Sequence, residues 1–159
     1  MEIKYRYWLC NVEGLGAVRI VKLLEYFGSA TEVFKSSEEQ LKASKILPKK
    51  AMECLLMSRK NFNKIEEDYH KLKEQNIRFI TTQDEEYPTK LKHIYNPPQG
   101  LYVRGNLLDL DIPTVAIVGA RNCSYYGKET AKQAALQLAK KGVTIISGLA
   151  AGIDTSAHI

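Results

Sequence analysis

No stretch of this 159-residue sequence approaches the roughly 20 consecutive apolar residues that a membrane-spanning helix requires. The N-terminus, MEIKYRYWLC, has no apolar segment of the kind found in a secretion signal. A soluble, cytoplasmic protein with no membrane partner is therefore expected. Cysteine is scarce. Cys10, Cys54 and Cys123 are isolated and odd in number, which suits a reducing compartment and argues against a disulfide framework. There is no C-x-x-C and no H-E-x-x-H, so neither a zinc site nor any other metal or cofactor is expected. Concentrated charge is also missing. Lys and Arg outnumber Asp and Glu by 14 to 11 over residues 1–75 and by 9 to 7 over 76–159. The net charge of +5 favours an anionic partner only weakly. Any anion site must then be made by local geometry.

What is present divides near residue 60. Up to there the sequence reads as short helices. Tyr5–Asn11 is aromatic-rich, and Glu13-Gly14-Leu15-Gly16 is a tight turn. Ala17–Phe27 places Val18, Val21, Leu24 and Phe27 on one face, and Gly28 ends it. Ser29 opens a short helix through Phe34, Ser36 and Ser37 with Glu38 and Glu39 form a second start signal, and Pro48 begins a helix through Met57. A long charged helix over Asn61–Gln75, with Phe62, Ile65, Tyr69 and Leu72 aligned, already belongs to the second part. Strands follow at Ile77–Thr81 and Leu101–Val103. The apolar run Thr114–Val118 predicts a strand buried on both faces, and Val143–Ser147 a second buried strand. Between them, Gly127–Lys141 is an amphipathic helix with Ala131, Ala134 and Leu138 inward. Strand–helix–strand predicts a parallel sheet. Only about one helical turn follows Gly152, so the pattern is expected to be a fragment of a longer protein.

Two glycine loops stand at the carboxyl ends of the parallel strands, where open α/β sheets bind ligands. The first runs Gly119-Ala120-Arg121-Asn122-Cys123-Ser124-Tyr125-Tyr126-Gly127, and the second Ser147-Gly148-Leu149-Ala150-Ala151-Gly152-Ile153-Asp154. Glycines let a phosphate approach the backbone closely, and helix starts offer unpaired N–H groups. Arg121 adds a forked cation and Ser124 a hydroxyl. The nucleotide loop G-x-x-x-x-G-K-[ST] is excluded, because Lys128 follows Gly127 too far from Gly119 and precedes Glu129. G-x-G-x-x-G is excluded because Arg121 stands at its third position.

Each feature also has a structural explanation. Gly148 and Gly152 suit any strand–helix turn, Ser124 suits a helix cap, and Asp154 reads better as the cap of the last helix than as a catalytic acid. His158 has no evident base or metal partner. Tyr125 and Tyr126 suit stacking on bases or packing on a helix. Gly14-Leu15-Gly16 looks like the hairpin of a helix-hairpin-helix module, although such a turn also joins plain packed helices. Lys45–Lys49 would be a degenerate second hairpin.

Val118-Gly119-Ala120-Arg121 with Ser124, Tyr126 and Gly127, followed by Ser147-Gly148-Leu149-Ala150 with Gly152-Ile153-Asp154, Ala157 and His158, resembles the DNA-processing protein A family (DprA, also called Smf). Tyr87-Pro88, Leu91, Pro97-Pro98, Leu101-Tyr102, Gly105-Asn106 and Gly14-Leu15-Gly16 extend the resemblance over essentially the whole chain. It implies an α/β protein. Residues 1–60 would be a helical SAM-like (helix-hairpin-helix-like) domain, and 61–159 the first part of an extended Rossmann-like parallel-sheet domain. It implies binding of single-stranded DNA, loading of a RecA-type recombinase in natural transformation, and a homodimer when full length. It places phosphate on Gly119, Ala120, Arg121 and Ser124, with Gly148, Leu149 and Gly152 completing the pocket. Asn122, Tyr126, Lys128, Gly14 and Gly16 are secondary DNA contacts. On this reading the protein makes and breaks no bond. The competing reading is a nucleotide or nucleoside-phosphate hydrolase on a similar domain, with Asp154 as the nearby acid.

Overall fold

Trp8, Leu9 and their aromatic neighbours set the packing of the first helices. The computed structural model describes residues 2–107 and 112–159. In it α1 (Glu2–Cys10) buries Trp8 and Leu9 completely. Around it lie α2 (Ala17–Phe27), α3 (Ala30–Lys35), α4 (Glu38–Ser44) and α5 (Lys49–Lys60). Leu23, Val33, Leu41 and Leu55 close the core, each such side chain stabilising the fold by about 1.5–3 kcal/mol. The Trp8 indole N–H donates to Ser58 Oγ at 2.8 Å, so the one tryptophan is packed and polar-satisfied together.

The helix ends follow their residues. Ser37 and Gln40 form a reciprocal capping box on α4, Ser29 caps α3, and Gly28, at φ 85°, ends α2. Glu2 on α1 accepts the Ala30 N–H at 2.8 Å and so satisfies a first-turn donor of α3. One face differs from the sequence expectation. On α2, Ile20 and Leu23 are buried while Val18 is exposed. Stepping every three residues drifts around a 3.6-residue helix, so the packed face runs through 20, 23 and 24 instead.

α6 (Phe62–Glu74), β1 (Ile77–Thr81), α7 (Thr89–Lys92) and β2 (Gly100–Arg104) complete this first unit, which extends to Leu107. β1 and β2 are antiparallel, with Phe79 opposite Tyr102. Gly100 lets the Phe79 ring lie across the backbone, since a Cβ there would stand 2.4 Å from it. Tyr7 of α1 meets Phe79 edge-on at 5.2 Å, and the Tyr102 hydroxyl donates to Asn11 Oδ1 at 2.8 Å.

Burial, and then the neighbouring Tyr102, push the Tyr7 phenol up to about 12, and burial pushes the Cys10 thiol up to about 11. Both pKa values are raised on folding, so both groups keep their protons after the unfolded chain begins to lose its own. Their contribution to stability is whole below about pH 9 and is lost as pH rises from 9 through 12. Urea midpoints measured across that range are expected to fall. Tyr7→Phe should flatten the upper part of the fall.

The second unit begins at Leu108. β3 (Thr114–Ala116) and β4 (Thr144–Ile146) are parallel, joined by α8 (Tyr125–Lys140), and followed by α9 (Ile153–Ser156). The Ile117 N–H donates to the Ile146 carbonyl and the Thr144 N–H to the Pro113 carbonyl, extending the ladder at both ends. Two expectations are corrected here. β3 is not buried on both faces: Val115 and Ala116 are exposed, and Val118 is 69% exposed. Ile146, at the end of β4, is exposed as well. The described residues of this unit, with two strands and two helices, supply too little surface to cover both faces. On α8 the buried pair is Ala131 and Ala135, while Ala134 faces out, because the i, i+4 step follows the contact with β4 and α9.

Candidate nucleic-acid interface

Both glycine loops fall in the second unit, each leaving a strand of the parallel pair and entering a helix, and the structure joins them. The joint is Gly152-Ile153-Asp154. Gly152 has φ 96° and ψ −127°, a conformation open only to glycine. A Cβ there would lie 2.3 Å from the Ala120 oxygen and 2.5 Å from the Arg121 oxygen, so the second loop rests on the backbone of the first. The Ile153 N–H donates to the Ala120 carbonyl at 3.2 Å. The Ile153 side chain fills the space in front of Gly119, where a Cβ would meet it at 2.8 Å.

Asp154 differs from expectation. It is not the side-chain cap of α9, whose N-cap is Gly152. It is buried, at 7% exposure, and its Oδ1 accepts the Gly119 N–H at 3.0 Å. That amide is therefore taken within the protein. Ser147 is occupied similarly, its hydroxyl donating to the Ile117 carbonyl at 2.6 Å. The Thr155 hydroxyl holds the Ala150 carbonyl at 2.7 Å. Leu149 lies between these ties with φ 53° and an exposed side chain, a left-handed conformation uncommon for a residue with a Cβ. Sequence reasoning quoted Ile153 without a role, missed Thr155 and gave Asp154 another task. The signal available was an Ile-Asp-Thr run directly after the loop's last glycine.

The outer surface of the joined loops carries the remaining expected residues. Arg121, Asn122, Tyr126 and Lys128 are exposed, as is Tyr125. Ser124 caps α8, its Oγ accepting the Gly127 N–H at 3.1 Å. The amides of Tyr125 and Tyr126, in the first turn of α8, have no intrahelical acceptor and lie at the positive end of a 16-residue helix. Arg121, amides without an intrahelical acceptor and two aromatic rings are thus clustered on one short stretch of chain. Such a surface can hold an anion by charge-assisted hydrogen bonds and offer a flat face to a base.

Gly14 and Gly16 belong to the first unit. Leu15 between them is buried in its core, Gly14 has φ 78°, and Gly16 is the N-cap of α2. The Arg19 guanidinium donates to the Gly14 carbonyl at 3.1 Å. This turn therefore has a packing role whatever else it contacts. His158 is exposed. Among the described residues, no group of three His, Cys, Asp or Glu is placed to hold a metal, and no helix is long and apolar enough to cross a membrane.

Residues 78–159 match the family model of the DNA recombination-mediator protein A. Protein Smf of Synechocystis sp. is 34% identical over 96% of this chain and 39% of its own length. DNA processing protein DprA of Bacillus subtilis is 38% identical over 60% of this chain and 35% of its own. The crystal structure of DNA processing protein A from Streptococcus pneumoniae superposes with a TM-score of 0.68 at 28% identity, covering 98% of this chain and 52% of that one. The chain thus spans about half or less of the length of the proteins it matches.

Proposed function

Because the chain belongs to the DNA recombination-mediator protein A family, we propose that its two joined glycine loops hold the phosphate backbone of single-stranded DNA. One observation carries this reading. The second loop packs directly on the first at Gly152, and Arg121 and the first turn of α8, a few residues apart in the chain, are both exposed. Arg121 supplies a forked cation, and the Tyr125 and Tyr126 amides supply donors. Gly119 gives its N–H to Asp154 and its open side to Ile153, and so lets the second loop pack against the first. Ala120, Ser124, Gly148 and Leu149 shape the surface. Asn122, Tyr126 and Lys128 are the neighbouring contacts, and Gly14 and Gly16 a further one on the helical unit.

The intact protein acts as a binding scaffold that makes and breaks no bond. It presents the strand to a RecA-type recombinase during DNA uptake, as a cytoplasmic homodimer. In this reading residues 1–60 are a SAM-like module and 61–159 the start of the Rossmann-like one. A hydrolase would need a free acid beside the loops, and Asp154 is buried against an amide.

The test is fluorescence anisotropy with labelled oligonucleotides over a salt series. Single strands are expected to bind regardless of sequence. The logarithm of affinity should fall linearly with the logarithm of salt concentration, with a slope of about −0.7 per phosphate contacted. A salt-independent affinity, or none for single strands, would remove the proposal.

A further inference from the structure

We propose that Asp154 is the positioning residue of this interface: it fastens the two loops in register so that Arg121 and the α8 amides face the same phosphates. The inference rests on the phosphate-binding reading above and adds a residue that touches no DNA. Burying a carboxylate is unfavourable unless its hydrogen bonds are met, and an aspartate on a surface loop could remain in water. Here the group sits between the first glycines of both loops. Oδ1 is 3.0 Å from the Gly119 nitrogen, and Oδ2 would be 3.0 Å from a Cβ on Gly148.

Asp154 is fixed in turn by its neighbours. Ile153 packs in front of Gly119 and bonds the Ala120 carbonyl, and Gly152 rests on the Ala120 and Arg121 carbonyl oxygens. The peptide groups leading into Arg121 are therefore held at three successive points, 152, 153 and 154. A negative charge beside an anion site opposes the ligand, so electrostatics does not explain the choice of residue. Geometry does. A strong acceptor turns the Gly119 N–H inward and leaves the outward amides to the ligand.

This separates two variants cleanly. Asn at 154 keeps an oxygen acceptor for Gly119 and drops the charge, whereas Ala removes the tie. In the oligonucleotide assay D154A is expected to bind about tenfold more weakly, the lower end of what loss of a supporting hydrogen-bond partner does at metal sites. D154N should bind at least as tightly as the wild type. R121A serves as the reference. If R121A binds like the wild type, the phosphate reading has failed and this inference with it. If R121A is weakened while D154A is not, the inference alone is overturned. D154N as weak as D154A also overturns it, since the charge would then be what matters. Should D154A lose cooperative melting, D154N decides, with hydrogen exchange at the Gly119 amide as the second readout. Protection with binding retained supports the tie, and protection with binding lost overturns it.

Discussion

Arg121→Ala is expected to weaken binding of a single-stranded oligonucleotide by roughly 10- to 100-fold at moderate salt. A hydrogen bond to a charged group contributes about 1.5–3 kcal/mol, and an arginine on a phosphate offers two in parallel. The salt series gives a second, independent number. Losing one cation that displaces one counterion should lower the magnitude of the slope by about 0.7. Stability should not change, because Arg121 is exposed and lies on a loop surface. Arg121→Lys keeps the charge and loses the planar fork, so it should recover the salt slope but only part of the affinity. An alanine variant with the wild-type affinity and slope would take Arg121 out of the interface.

Gly152→Ala is expected to have the largest effect on folding, lowering the stability of the second unit by roughly 3 kcal/mol and abolishing DNA binding along with it. Two costs combine. The backbone at φ 96° and ψ −127° excludes a side chain. The added methyl would also point at two carbonyl oxygens, 2.3 and 2.5 Å away, and a backbone cannot step aside as a flexible side chain does. Either α9 shifts or the first loop does, and in both cases Ile153 and Asp154 leave Gly119. Denaturant midpoints and loss of exchange protection at the Ile153 amide would report it. A variant that melts like the wild type and still binds would mean that the two loops are not locked at this point. Gly148 is the useful contrast. Its φ is not positive, and its Cβ would meet only an Asp154 oxygen at 3.0 Å, so Gly148→Ala should be milder.

The helices were readable because their signals are local. Ser37 before Glu38 and Glu39, Gly28 after Phe27, and Pro48 before Lys49 each act within a turn of chain, and all stand where the pattern placed them. The strand pair was readable for a related reason: β-type runs on either side of an amphipathic helix leave a parallel pairing as the short solution. The burial of those strands was not readable. An apolar run states that cover is wanted, not that it is there, and Val115 and Val118 are exposed. On α8 Ala131 turns inward as expected and only Ala134 does not, because the partners β4 and α9 decide which alanines turn inward.

Arg121, Ser124 and the paired glycines could be marked from residue chemistry alone, since a guanidinium, a small hydroxyl and permissive backbone each declare a capacity. The order of helices, the family resemblance and the strand-end position of both loops were likewise contained in the chain. Tertiary structure alone decided which capacities remain open to a ligand. Gly119 loses its room to Ile153 and its N–H to Asp154, 35 positions further on, and Ser124 uses its oxygen on Gly127. A hydrogen bond between residues so far apart in sequence depends on how the strands and helices bring them together, and no local pattern encodes that distance.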